Sequence, residues 1–335
     1  MIGLTLVFIG ISLLLYVLLG GADFGAGIIE IFTGRKGINI ISKAIAPVWE
    51  ANHIWIIVVL VILFNAFPVV YSTVTMYLHI PVMLVLIGII FRGTSFAFRY
   101  YDPYKDRSHR IYSFIFELFS LLTPLFLGIT LGAVLLGDIT VDNSLPFYER
   151  FVAPWLKLFP FVLGIFIVLL FAYLAAVYLT GESHDTRDRR QFARYATRLL
   201  IALIFTGALV FFAAQVNGLP LFTMFLSSWI SISCTIVATL LLPAFFFALK
   251  KELNNLMRFI AGAQTTAIIA GWFGIQYPVM ITLKDASPLT IYNAAASEKT
   301  LLMMNIALFV GLAFVIPLLI YLFRIFKFSK NEEID

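Results

Sequence analysis

Charged side chains are scarce in this 335-residue sequence. Asp, Glu, Lys and Arg together make up 12% of it, against roughly 25% in an ordinary soluble domain, so a water-facing globular surface is excluded. Cysteine is scarcer still. The single Cys234 rules out an internal disulfide and a cysteine-ligated cluster, and the absence of Cys-x-x-Cys-His rules out covalently attached haem. Histidine occurs four times, and no loop is long enough to form a soluble domain. What the chain does contain is apolar length: 61% hydrophobic residues, 34 Phe, 14 Tyr and 5 Trp, with a mean hydropathy of +1.00. That is the composition of an integral membrane protein. The net charge of +5 reflects basic residues gathered on one side of the membrane, and nothing in it points to nucleic acid.

Nine apolar runs reach the roughly 20 residues that a helix needs to cross the hydrocarbon layer. They lie near 2–32, 47–70, 74–97, 111–137, 155–180, 193–216, 221–249, 256–281 and 299–326. The sequence therefore predicts an all-α polytopic membrane protein with nine transmembrane helices. The first run lacks a preceding basic stretch and continues past any cleavage site, so it reads as a span and not as a signal peptide. With the N-terminus outside, 19 of the 23 Lys and Arg fall on the inner side, in clusters at 35–43, 92–110, 187–198, 250–258 and 324–330. Only Arg150, Lys157, Lys284 and Lys299 lie outside. The asymmetry predicts an outside N-terminus and a cytoplasmic C-terminus.

The longest loops, 138–154 and 282–298, are both outer and four spans apart, as are the short connections 71–73 and 217–220. This rhythm predicts a first four-helix bundle over 1–138, a second over 139–282, and a peripheral ninth helix with a cytoplasmic tail over 283–335. Residue identity between the halves is not evident. Inverted repeats are excluded, because four spans return the chain to its starting side.

The two halves differ in chemistry. Asp23, Glu30, Glu50, His53, His79, Arg92 and Glu117 all fall in or just inside the apolar runs of the first half. A charge at the bilayer centre costs about 3 kcal/mol on insertion scales, so such residues are functional candidates, for proton or ion handling first. Glu30, Arg92 and Glu117 have a plainer reading, in which they snorkel or pair with one another. Asp23 is flanked by Gly20, Gly21, Gly25 and Gly27, small residues that admit another helix, so it faces protein. Those glycines equally suit packing alone, with Asp23 bonded to a neighbouring backbone.

Glu50 and His53 share a helix face at i, i+3, the half-motif of di-iron carboxylate bundles. No second copy exists, so the ligand set for a metal is incomplete. Of the histidines only His53 and His79 lie in spans, near opposite ends, and cannot ligate one iron together; Met303 and Met304 remain as axial candidates but suit packing. The expectation is a chain with no cofactor or metal of its own and no catalytic residue. The aromatics suit interfacial belts, a partner bundle or isoprenoid tails.

The segments YVLLGGADFGAGIIEIF (16–32), PVWEANHIWIIVVLVILFNAFPVVYS (47–72) and FRGTSFAFR (91–99) resemble subunit II of the cytochrome bd quinol oxidases. The core of the likeness is P-x-W-[DE]-x-N-x-x-W, met here by Pro47, Trp49, Glu50, Asn52 and Trp55. The resemblance implies a bacterial plasma-membrane complex of the respiratory chain that oxidises quinol and reduces oxygen to water. Two b-type haems, one d-type haem and the quinol site are then expected in a partner, subunit I, with a small single-span accessory subunit and membrane lipids beside it. A bound quinone in this chain, the identity of the quinol and any oxygen tunnel stay open.

In that family the motif acid, here Glu50, is implied on a cytoplasmic proton-uptake route, with Asp23 as second candidate. His53, Ser72, Thr73 and Thr75 are the expected hydrogen-bonding neighbours, and Trp49, Asn52, Trp55 and Arg92 the supporting motif. The chain departs from the family where Gly20 and Ala97 stand, since members often carry an acid there. The alternatives are a purely structural or shielding subunit, or a secondary transporter. A transporter would show glycine- or proline-broken helices in both halves.

Overall fold

The computed structural model describes residues 1–33, 35–102, 107–183 and 185–325. Lys105, Lys327 and Lys330, which belong to the basic clusters read above as inner, and His184 lie outside those described. Among the described residues eight helices are long and apolar enough to cross a membrane, which makes the chain a multi-pass, essentially all-α protein. In chain order the helices are α1 (Ile2–Ile31), α2 (Arg35–Ile45), α3 (Trp49–Ala66), α4 (Pro68–Tyr77), α5 (His79–Tyr101), α6 (Arg107–Leu136) and α7 (Phe147–Phe151). They continue as α8 (Leu158–Glu182), α9 (Thr186–Val216), α10 (Leu221–Ser227), α11 (Trp229–Lys250), α12 (Asn254–Gln276) and α13 (Glu298–Phe323). The run expected at 256–281 corresponds to α12, which has 23 residues, about 35 Å at 1.5 Å per residue. It falls short of the other eight in hydropathy because it carries Arg258, Gln264, Thr265 and Thr266.

Two expected spans are built differently from a single rod. α3 is interrupted at His53 and stops at Ala66. Pro68 then opens α4 as its first residue, and Phe67 before it adopts φ −133°, ψ 60°. Proline has no N–H to continue a helix and pushes the preceding residue out of the helical region. Residues 68–77 thus form a separate short helix beyond the end of α3. Within α1, residues Tyr16–Gly20 form a π-helical turn, a wide turn that fits in one extra residue.

α8 is the central helix, with 56% of its most apolar stretch buried. It packs against α6, α9, α12 and the C-terminal half of α1. Glycine makes that last contact close, since a Cβ on Gly25 would lie 1.8 Å from the Phe171 carbonyl oxygen; likewise a Cβ on Gly27 would lie 2.1 Å from Ser120 Oγ on α6. The N-terminal half of α1 packs instead on α3, and α13 lies along both. There the Thr5 hydroxyl bonds Asn305 Oδ1 at 3.1 Å. At the end of the molecule read as outer, the two long loops dock on each other. Lys284 N donates to Ile139 O at 2.9 Å, and Val279–Ile281 pairs antiparallel with Leu289–Thr290. The Asp285 carboxylate accepts from Thr140 Oγ1 at 2.7 Å and from the Val141 and Asp142 amides.

Candidate functional site

Asp23 and Glu30 stand seven residues apart on α1, and Arg92 and Arg99 seven apart on α5. Seven residues are close to two turns, so each pair lines one face with a rise of about 10.5 Å. Among the described residues these are the four buried charged side chains, two acids and two bases. They meet as two rungs: Arg92 reaches Asp23, and Arg99 reaches Glu30.

In the first rung, Asn52 Nδ2 donates to Asp23 Oδ2 at 2.7 Å. Arg92 Nη2 donates to the Asp23 carbonyl at 2.7 Å and Nε to Ser120 Oγ at 3.2 Å. The guanidinium lies 4.6 Å from the Phe24 ring centroid and 5.2 Å from that of Phe116, a cation–π setting that partly replaces lost hydration. His53 completes the cluster, with Nε2 3.5 Å from Arg92 Nη1 and its ring edge-on to Phe24. The His53 Nδ1 atom and the neighbouring Tyr16 hydroxyl are buried without a hydrogen-bond partner among the described residues.

In the second rung, Arg99 forms a two-point ion pair with Glu30, Nη1 to Oε1 and Nη2 to Oε2. Nη2 also donates to Ser42 Oγ at 3.2 Å, and the guanidinium stacks 4.6 Å from the Phe116 centroid. Each buried charge thus has an opposite charge or several hydrogen bonds nearby, which is what makes it tolerable away from water.

The remaining predicted residues fall in three places. Glu50 is exposed on the surface, two residues before Asn52. Trp49 and Trp55 are packing residues: Trp49 lies edge-on to Phe96 at 5.6 Å, beside Gly93, and Trp55 is buried. Ser72, Thr73 and Thr75 are not brought to the cluster. They sit on α4, past the 13-residue length of Ile54–Ala66, about 20 Å away at 1.5 Å per residue. Their hydroxyls donate to the helix's own carbonyls, Val69 O for Ser72 and Thr73 and Tyr71 O for Thr75. Glu117 is half-buried.

Arg99, Ser120, Tyr16 and Phe24 belong to the cluster, yet the sequence reading gave none of them a role. The signal for Arg99 was in the sequence: the seven-residue spacing of the two acids is repeated by the two arginines. The plainer reading of Glu30 and Arg92 as pairing with one another gives way to pairing of Glu30 with Arg99.

Two of the histidines lie within or at the end of a membrane helix, in different settings. His53 Nε2 is turned to a guanidinium and its ring is boxed in by Phe24 and Tyr16. His79 Nδ1, at the start of α5, is 2.9 Å from the Met76 carbonyl near the end of α4. No group of three or more His, Cys, Asp and Glu that could hold a metal ion occurs among the described residues.

Comparison with known proteins gives a consistent answer. Cytochrome bd ubiquinol oxidase subunit 2 of Bacillus subtilis (strain 168) is 26% identical over 316 residues, covering 93% of this chain and 91% of the relative. Cytochrome bd-I ubiquinol oxidase subunit 2 of Escherichia coli (strain K12) is 29% identical over 204 residues, which span 58% of this chain and 54% of that protein. The solved structure of bd oxidase from Geobacillus thermodenitrificans contains a chain with the same fold, at a TM-score of 0.77 and 20% identity, covering 97% of this chain and 99% of that one. The profile of cytochrome bd terminal oxidase subunit II matches residues 1–326. The chain therefore belongs to the cytochrome bd terminal oxidase subunit II family, as a multi-pass bacterial membrane protein.

Proposed function

We propose that this chain is the haem-free second subunit of a quinol:oxygen oxidoreductase, and that it carries protons from the cytoplasm toward a haem-bearing subunit I through Glu50 and Asp23. The reading includes nine spans with α12 as the eighth, an outside N-terminus, two four-helix units over 1–138 and 139–282, and a small accessory subunit in the complex. Two b-type haems and a d-type haem in the partner would supply the oxygen chemistry. The setting of His53, enclosed by Arg92, Phe24 and Tyr16, supports placing them there.

The observation that carries the proposal is the Asn52–Asp23 hydrogen bond. It joins the acid of the first span to the motif that holds Glu50 at the surface. Glu50, exposed, exchanges protons with the cytoplasmic face or the subunit boundary. Asn52 holds Asp23 in one orientation, and Arg92, whose guanidinium offers donors and no acceptor, compensates charge in the cluster without relaying. Tyr16 and His53 offer the next polar atoms inward. Ser72, Thr73 and Thr75 drop out because of their distance.

The two-point Glu30–Arg99 pair favours a second, structural role for the same bundle, since a carboxylate held so firmly by a guanidinium is a poor carrier and a good clamp. The test uses Glu50→Gln and Asp23→Asn in the whole complex, with haem spectra to establish assembly. Quinol oxidase turnover and membrane-potential generation are expected to fall together in both variants. Unchanged turnover in both, with intact haem content, would refute the relay and leave the chain as a scaffold.

A further inference from the structure

A second feature lies away from the buried cluster. A cavity of about 460 Å3 opens where the start of α9 faces the junction of α11 and α12. Arg190, Arg194 and Arg198 recur every fourth residue and so form one stripe on α9, and Arg189, whose Nη2 donates to the Ser183 carbonyl at 3.3 Å, also lines the space. One acid, Glu252, lines the same space and accepts from Arg190 Nε at 3.3 Å. Four guanidinium groups against one carboxylate leave a net charge of +3 (4 − 1) on the lining.

The floor is of the opposite character, made by Ala193, Leu249 and the buried Met257. Basic residues that merely report orientation need no concavity and no apolar floor. Here cations ring a cleft at the polar ends of three membrane helices, where a phosphate at headgroup depth and the first carbons of an acyl chain arrive together. Guanidinium forks suit phosphate oxygens in two-point geometry, and basic pockets between helix ends are the recurrent form of such sites.

We infer that this cleft binds the phosphodiester headgroup of an anionic phospholipid, with its glycerol and upper acyl chain on the Ala193–Leu249–Met257 floor. The ligand chemistry, a phosphate monoanion, is shared with free phosphate, and the experiment separates the two. Native mass spectrometry of the purified complex is titrated with phosphatidylglycerol, phosphatidylcholine and inorganic phosphate. Wild type is expected to retain phosphatidylglycerol in preference to phosphatidylcholine. Loss of one arginine should weaken that binding about five-fold, and Arg190→Gln/Arg194→Gln/Arg198→Gln about 100-fold.

Ala193→Phe keeps every charge and fills the floor. It should weaken phosphatidylglycerol and leave inorganic phosphate unaffected. If the triple variant does not assemble, Arg198→Gln and Ala193→Phe carry the test alone. Equal retention of the two lipids by wild type, displacement of phosphatidylglycerol by millimolar phosphate, or binding unchanged in both single variants would each overturn the assignment.

Discussion

Taking one partner from the Glu30–Arg99 pair should cost far more than taking both. Arg99 Nη2 and Glu30 Oε2 are 3.2 Å apart, and the two side chains are 3% and 0% exposed. Unit charges at that separation attract by about 5 kcal/mol at an effective dielectric of 20 (332/(20 × 3.2)). Desolvation of both ions offsets most of this in the intact pair, whereas a stranded partner keeps its desolvation cost, about 3–5 kcal/mol. Arg99→Gln or Glu30→Gln alone should therefore destabilise by about 4 kcal/mol, and the double substitution by less than either single. By the scaling for domains of 150–250 residues, about 4 kcal/mol lowers a melting temperature by roughly 8 °C. The assay is heat-induced loss of the monodisperse complex, followed by size-exclusion chromatography of the four members of the cycle. Single shifts under about 2 °C, or a double shift equal to the sum of the singles, would refute the reasoning, because both imply that the charges are not coupled.

Two further outcomes follow from other contacts. Gly25→Ala drives a methyl into the Phe171 carbonyl 1.8 Å away, where backbone cannot yield cheaply, so assembly should fall with a cost of at least about 1–3 kcal/mol. Gly10→Ala, with nothing within 4 Å of its Cβ, serves as the silent control, and equal yields would sink the packing argument. Asp285 is held below the usual carboxylate range, first by the Thr140 hydroxyl and then by the Val141 amide. Its stabilising effect is therefore present above the ordinary aspartate value and lost as pH falls through the lower folded one. The segment 138–154 should resist proteolysis from neutrality down to about pH 4 and open below it, while Asp285→Asn should open it at every pH. Matching cleavage of wild type and variant at neutral pH would count against this docking.

The membrane class and most spans were legible because hydropathy alone decides them. α12 shows where that signal weakens: Gln264 accepts from the Tyr173 hydroxyl at 2.8 Å, so its polar face is turned to protein and reads as less apolar than the span it was expected to be. Pro68 carried a legible break signal, and the length of the run across 47–70 already set Ser72, Thr73 and Thr75 a span away from Glu50, too far to be its hydrogen-bonding neighbours. Asp23 was singled out correctly as facing protein, because its glycines mark helix approach. Its partners Asn52 and Arg92 come from two other helices, and which residues meet across helices is set by rotation about each axis, a quantity hydropathy does not contain. The matched seven-residue spacings of acids and arginines were the one trace of it in the sequence.

The π-helical turn at Tyr16–Gly20 acts as a phase adjuster within the first helix. Each residue of an α-helix advances the azimuth by 100°, so the extra residue in this turn sets how the two halves are rotated against each other. The half before it is addressed to α3 and α13, and the half after it to α8 and α6. Deleting one residue there would leave composition, length and hydropathy almost untouched. It would nevertheless swing Asp23 and Glu30 by about a quarter turn away from Arg92 and Arg99. The spacing between the two halves of this helix is therefore itself a coded quantity, as constrained as the charges it brings into mesh.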